Sequence, residues 1–552
     1  MPVVTFSFDR IEKMLPGIKL ETVLKVLPFI GLDIEDVGEN SLRIEYNPNR
    51  PDLGSDYGIC RALRGLLEIE SGIPKFRLSK KGRFIVEVDQ SVQTIRPFIV
   101  ALVAKSGNLD DGTIKQLIGM QEDLHNGIGR KRVKASIGLH DLDSIRFPLK
   151  YKAESDRFSF VPLDQTNSQT IEIILRTSLP GRQYGHIFAE VKNYPILIDS
   201  ENNVISFPPI INSAMTKIKT DTHNLFVEVT GNSRKATEDM LSNLAITLFE
   251  AGFKIHPVLI RNIENRDSFY TPKIAPSTLK VESNFINKVL GLDLKASQVV
   301  NCLRKSRLDA KIMANERIIK CFIPRYRIDI LSAIDLAEEA AIGYGIYNLE
   351  PKIPSTFLFG QKSQSSSYMG VIRQTMIGLQ MIEVVNLSLV SRRMQYDLPG
   401  IGGRDKALQL DATKSNEHEI LRDSLLPSLL MVLSHNIHEE YPQRIFELGK
   451  IFQHVDSVKE SWSLGVVVAH NKANYTEVKS ILHTLMKIGF GKDVQTNVGS
   501  HPLFINGRCA NIVVDEKKIG SIGEVAPLAI DNFNIRVPAA AFELNVSQLF
   551  EI

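Results

Sequence analysis

Ile44-Glu-Tyr-Asn-Pro-Asn-Arg-Pro-Asp-Leu53 leads through Gly54 and Ser55 into a stretch where Ile59, Ala62, Leu63, Leu66 and Leu67 recur at i, i+3, i+4, i+7 and i+8. That spacing predicts an amphipathic helix. The two prolines and two asparagines before it favour a rigid turn, and Asp52 to Asp56 offer N-cap oxygens. Short strand-like runs surround the helix, so residues 1 to 85 read as a small α+β domain. On physical grounds alone an ordinary structured turn accounts for the same residues.

Outward from this segment, 552 residues exceed what one hydrophobic core organises, and several domains are expected. Residues Leu78 to Gly82 mark the first boundary, and a mixed region of residues 86–262 follows. It contains a strand-like run, Phe226 to Val229, and a helix from about Arg234 to Ala251. A polar linker spanning Arg261 to Pro276 separates it from a compact module at residues 270–352, and an α+β block occupies residues 355–552.

Hydrophobic residues at 43% and charged residues at 23% exclude wholesale disorder. With 66 Lys plus Arg against 63 Asp plus Glu, composition does not announce a nucleic-acid binder, so any RNA contact is local. Arg130, Lys131, Arg132 and Lys134 form one short basic run able to meet phosphates, although such runs are commonly solvated faces. Four scattered cysteines, Cys60, Cys302, Cys321 and Cys509, lack metal-ligand spacing and fit a reducing cytoplasm. No segment is long and apolar enough to span a membrane, and the expected location is cytoplasmic.

Three further strings carry chemistry. In Pro324-Arg-Tyr-Arg-Ile-Asp-Ile-Leu-Ser-Ala-Ile-Asp-Leu-Ala-Glu-Glu339, helical spacing puts Asp335, Glu338 and Glu339 on one face, with Asp329 in the preceding loop. Clustered carboxylates are relieved by a hard divalent cation, and oxygen-only donors select magnesium or calcium; an acidic first turn complementing the helix dipole is the alternative. Gln121 to Arg132 with Ile137-Gly-Leu-His-Asp141, and Phe207 to Ser213 with Glu228-Val-Thr-Gly231, supply His, amide, hydroxyl and carboxylate groups able to position a water and read a phenol. Finally, Asp423 or Ser424 can cap a helix that accepts Pro427 in its first turn and buries Leu425, Leu426, Leu429 and Leu430.

Asn47-Pro-Asn-Arg-Pro-Asp-Leu53 followed by Gly58-Ile and Arg61-Ala-Leu63 resembles the N-terminal signature of phenylalanyl-tRNA synthetase β subunits, of the archaeal and eukaryotic cytosolic type. The Pro324 to Glu339 string is similar to that family's magnesium-binding module, which carries Mg2+ binding to Asp329, Asp335, Glu338 and Glu339. The strings at residues 121–231 resemble its editing domain, which hydrolyses tyrosine wrongly attached to tRNA(Phe). Glu228 is the preferred reader of the tyrosine hydroxyl, and His125, Arg130 and Asn212 are further candidates for the substrate or terminal adenosine. The C-terminal block, closing on Ile519-Gly-Ser-Ile-Gly-Glu-Val525 and Phe542-Glu-Leu-Asn545, resembles the family's inactive domain, a class II synthetase-like antiparallel sheet with helices. It lacks the Gly-rich segment ending in arginine that grips ATP.

The resemblance implies a multidomain α+β fold and an α2β2 tetramer. In it an α subunit uses ATP to attach L-phenylalanine to tRNA(Phe), while this chain contributes no aminoacylation residue. No DNA or membrane partner is implied. Rival readings are a freestanding tRNA deacylase, against which a large exposed apolar patch around Leu425 to Leu433 would speak, and a non-enzymatic tRNA-binding assembly scaffold.

Overall fold

The computed structural model describes residues 1–550 apart from 190, 265–266, 314–316, 355–357, 403–406, 412, 414 and 455–456. Asn265 and Arg266 of the expected linker and Ser355, the expected start of the last block, lie outside the described residues. The chain divides into two compact units, Met1–Ile353 and Pro354–Ile552. Among the described residues no helix is long and apolar enough to cross a membrane.

The first unit opens with a three-stranded antiparallel sheet in the order Val3–Ser7, Ser41–Glu45, Asp33–Val37. The predicted helix spans Asp56–Leu66, capped by Ser55, whose hydroxyl accepts from Gly58 N at 3.3 Å. Ile59 and Leu63 are buried against Val4, Phe6, Leu42 and Ile44. Gly58 is required where it stands, because a Cβ there would lie 1.8 Å from the Asp52 carbonyl oxygen.

A ten-stranded sheet follows, and at one end Phe98–Lys105, Leu225–Gly231 and Ala135–Asp141 are adjacent. Period-two alternation sorts their side chains. Leu225, Val227 and Val229 pack with Val100 and Leu102 beneath the helices Asp111–Asn126 and Arg234–Glu250, which bury Leu117, Met120, Leu124, Met240, Leu241 and Leu244. Phe226 turns to the opposite face with Ile99, Ala101 and Val103. Glu228 and Thr230 share that parity, so alternation alone carries a carboxylate into an apolar layer.

The rest of the first unit is a three-stranded sheet, Ser277–Glu282, Ile318–Ile323 and Asp309–Ile312, backed by the helices Ala296–Lys305 and Ala333–Tyr344. The second unit centres on a seven-stranded sheet, antiparallel except where Ile382–Glu383 joins Gln443–His454. Its helix Leu426–His435 has Pro427 in the first turn; the N-cap position is Leu425, and Ser424 Oγ accepts from Leu426 N at 3.3 Å as expected of a capping hydroxyl. The Glu543 carboxylate, from a distant strand, accepts from Leu425 N at 3.0 Å, and Asp423 instead takes Gln395 and Tyr396. Leu425, Leu426, Leu429, Leu430 and Leu433 are all core residues. No exposed patch forms there.

Candidate functional site

Glu228 pairs in register with Ala101 on one side and Gly138 on the other, and it is 2% exposed. Ser206 donates its hydroxyl to Glu228 Oε1 at 3.1 Å. Oε2 is buried without a hydrogen-bond partner, as is Nε2 of His140, which lies 3.9 Å from Glu228 Oε1. The other His140 nitrogen meets Thr216 Oγ1 at 2.8 Å, which fixes the ring. Gly138 makes room for this pair, since a Cβ there would sit 2.5 Å from both Glu228 Oε1 and His140 Nε2.

A buried acceptor left unmade costs roughly 1 to 3 kcal/mol. Two such atoms on side chains 3.9 Å apart at their closest pair suit a polar ligand that completes them. The buried cation Arg96 does not do so, since it bonds Thr230 Oγ1 at 2.9 Å, Ser136 Oγ at 3.0 Å and Thr230 O at 2.8 Å. Burial lowers its pKa to about 10, an effect that Tyr151 and Glu228 oppose.

The other editing candidates divide. Asn212 is brought to this region, since it pairs with Ser206 in the sheet, and its amide donates to Leu139 O at 3.2 Å. His125 is not. It comes from the helix covering the opposite face, accepts from Ile137 N at 2.9 Å through Nε2, and meets Glu122 Oε1 at 3.1 Å through Nδ1. Burial lowers its pKa, and both ring nitrogens are engaged within the chain. Ala135–Asp141 is the edge strand of the sheet, so its outward groups lack a neighbouring strand. His125, Asn212 and Gln121, which donates to Ile137 O at 3.0 Å, supply what that neighbour would have.

Arg130 is exposed and lies in a turn where Arg130, Lys131 and Arg132 have φ of 49°, 52° and 67°. Three successive left-handed residues with side chains cost roughly 1 to 2 kcal/mol each. The turn is held from inside. Arg96 donates to Arg132 O at 3.2 Å and Val133 O at 3.4 Å. Arg132 reaches Pro209 O at 3.1 Å and Glu122 Oε1 at 3.0 Å, with its guanidinium 4.3 Å from the Tyr184 ring centroid.

The four carboxylates of the Pro324 to Glu339 string do not converge. Arg327 takes two of them, bonding Asp329 at 2.9 and 2.7 Å and also Glu339. Arg50 lies 3.9 Å from Asp329 and 3.8 Å from Glu339 while pairing with Asp52 at 2.8 Å. Asp335 commits one oxygen to its helix start, where Oδ2 accepts from Leu331 N at 2.8 Å and Ser332 N at 2.7 Å. Burial would raise its pKa, but these donors outweigh it and hold the group below the usual carboxylate range. Glu338 is exposed. Among the described residues no group of three or more Asp, Glu, His or Cys is placed to hold a metal ion, and Arg327 already pairs with two of the four expected ligands, Asp329 and Glu339.

Ser206, Arg96 and Thr216 are not among the residues the sequence points to, and His140 enters there only within the Ile137 to Asp141 string. His140 was within reach, since it shares strand parity with Gly138 opposite Glu228; Ser206 arrives through non-local pairing that no local pattern shows.

Residues 349–546 match the family model described as the phenylalanyl tRNA synthetase beta chain CLM domain, and residues 279–346 match the tRNA synthetase B5 domain. The chain is similar to the phenylalanine–tRNA ligase beta subunit of Archaeoglobus fulgidus, with 37% identity over 553 residues that cover 100% of this chain and 99% of the relative. The corresponding subunit of Methanocaldococcus jannaschii is 35% identical, covering 99% of this chain and 100% of the relative. Among solved structures, an N-terminal fragment of the Pyrococcus horikoshii phenylalanyl-tRNA synthetase beta subunit superposes with a TM-score of 0.60 at 33% identity, covering 62% of this chain and 99% of the fragment.

Proposed function

The chain belongs to the family of phenylalanine–tRNA ligase β subunits, and from that premise we propose that it joins an α subunit in an α2β2 assembly whose α subunit uses ATP to charge tRNA(Phe). In this reading the enzyme is a cytoplasmic aminoacyl-tRNA synthetase. The second unit of this chain is an inactive class II-like domain that supports the partner. Pyrophosphate exchange should appear only with α present, and robust exchange by this chain alone would overturn the division of labour.

We further propose that the buried polar cluster of Glu228, His140 and Ser206 forms the pocket that clears tyrosine from mischarged tRNA(Phe). The supporting observation is the pair of unpartnered buried atoms, Glu228 Oε2 and His140 Nε2, beside the Ser206 hydroxyl. A tyrosine hydroxyl donates to such an acceptor, whereas phenylalanine leaves it unmade. Polar sites of this kind discriminate far more strongly than cavity shape does. Water adds to the ester carbonyl, the bond to the terminal ribose breaks, and tyrosine and free tRNA leave. Here Glu228 and His140 bind and orient. Removing a hydrogen bond to a charged group costs about 1.5 to 3 kcal/mol, so Glu228→Ala should clear Tyr-tRNA more than tenfold more slowly while the tetramer still charges phenylalanine. Deacylation time courses on Tyr-tRNA and Phe-tRNA test this, and equal tyrosine clearance by both proteins would remove Glu228 from the role.

Magnesium fits a smaller donor set than four carboxylates. Asp335 and Glu338 stand three residues apart near the start of the Ala333–Tyr344 helix, outside the arginine network. Magnesium commonly keeps several waters and takes only one or two protein carboxylates. We propose these two as the residues that hold it, and the ion would supply local order rather than chemistry.

A further inference from the structure

We propose that Arg130, Lys131 and Lys134 form a preordered docking surface for the backbone phosphates of tRNA beside the Glu228 pocket, an inference that rests on that pocket receiving a tRNA-borne ester. All three side chains are exposed. Among the described residues none of them joins an ion pair, whereas Arg132 between them is turned inward to Glu122 and Tyr184. Neighbouring cations behave differently: Arg234 pairs with Glu238 at 3.1 Å and Lys235 with Asp239 at 2.7 Å, which cancels their charge toward a ligand.

The backbone under the three free cations is fixed. Arg96 grips the carbonyls of Arg132 and Val133, Lys134 N donates to Gly129 O at 2.8 Å, and Arg132 N donates to His125 O at 3.2 Å. Left-handed φ at three successive positions is kept against its steric cost by these ties. A surface so ordered loses less conformational freedom when it binds than a mobile basic loop does.

Position supplies the link to the pocket. Lys134 O accepts from Asn232 N at 2.9 Å, just past the strand that carries Glu228. Arg132 holds the carbonyls of Pro209 and Ile210, between Ser206 and Asn212. The free cations therefore stand on a turn tied to the segment between Ser206 and Asn212 and to the end of the Glu228 strand, beside which a polyanion delivering an ester to Glu228 would lie. Phosphate contacts of this kind are independent of base sequence and weaken with salt.

The test is tRNA(Phe) binding to the α–β complex, followed by fluorescence anisotropy across a KCl series. Each phosphate contact contributes roughly 0.7 to 0.9 to the slope of log K against log salt, so Lys131→Gln with Lys134→Gln should flatten it by about 1.4 to 1.8. Affinity should fall at low salt and converge with wild type at high salt. Lys131→Arg with Lys134→Arg keeps the charges and should restore the slope. An unchanged slope in the Gln variant, or failure of the Arg variant to restore it, would overturn the surface. Clearance of Tyr-tRNA by the wild-type complex, measured alongside, separates the two readings: its absence removes the pocket's role without touching the slope result.

Discussion

Arg61 and Glu250, 189 positions apart in the sequence, meet at 2.8 Å with side-chain exposures of 2% and 8%. The same guanidinium donates to Asp52 O at 2.8 Å and lies 4.4 Å from the Tyr326 ring centroid. One cation thus joins the N-terminal helix, the long helix over the central sheet and the loop before Asp329. Removing one member of a buried pair strands the other's charge, which costs about 3 to 5 kcal/mol. Arg61→Ala and Glu250→Ala should each lower urea stability by that amount, and Arg61→Met with Glu250→Leu should recover most of it. A single-variant loss below about 1 kcal/mol would show that the pair behaves as a surface one.

Asp52 carries a pH signature. Its burial would raise the carboxyl pKa, but Arg50, Arg327 and Arg61 outweigh that and hold it at about 2. The folded form stays ionised where an unfolded aspartate, near 3.9, takes up a proton. The stabilisation is therefore complete above about pH 4 and is lost as pH falls through about 2, and it amounts to the order of 2 to 3 kcal/mol. Asp52→Asn should be less stable at neutral pH and should flatten the acid limb of the stability curve; a parallel limb would exclude the linkage.

Gly138→Ala tests the pocket without removing any polar group. Its methyl would meet Glu228 Oε1 and His140 Nε2 at 2.5 Å, so both side chains must move. Clearance of Tyr-tRNA should fall at least as far as in Ser206→Ala, which loses one neutral-to-charged hydrogen bond, while phenylalanine charging is retained. Full clearance by Gly138→Ala would mean that the ester is read elsewhere.

For magnesium, Asp335→Ala and Glu338→Ala should each lower the metal content of the complex, measured by atomic absorption after dialysis. Asp329→Asn and Glu339→Gln should chiefly lower stability, because they leave Arg327 with one carboxylate fewer. Retained metal in both Asp335→Ala and Glu338→Ala would reject the two-carboxylate site.

Local pattern carried much of this to the sequence reader. The Asp56–Leu66 and Arg234–Glu250 helices follow from apolar spacing, and the strand through Phe226 to Val229 follows from its β-branched and aromatic residues. What failed was pairing across the chain. Helical spacing correctly set Asp335 and Glu338 near one another, but Glu339 turns inward to Arg327, and Arg50, which approaches it, comes from a remote segment. His125 looked chemical because imidazoles often are; only the sheet order reveals that it faces the last strand's unpaired amide.

That histidine also bears on self-association. Ala135–Asp141 is a seven-residue strand with six buried positions and a free side, the kind of template along which a second chain adds itself and growth continues. Gln121, His125 and Asn212 occupy the backbone groups that such an intruder would need. These staples are thereby a guard against fibre growth, one that opens wherever the helix carrying His125 lifts.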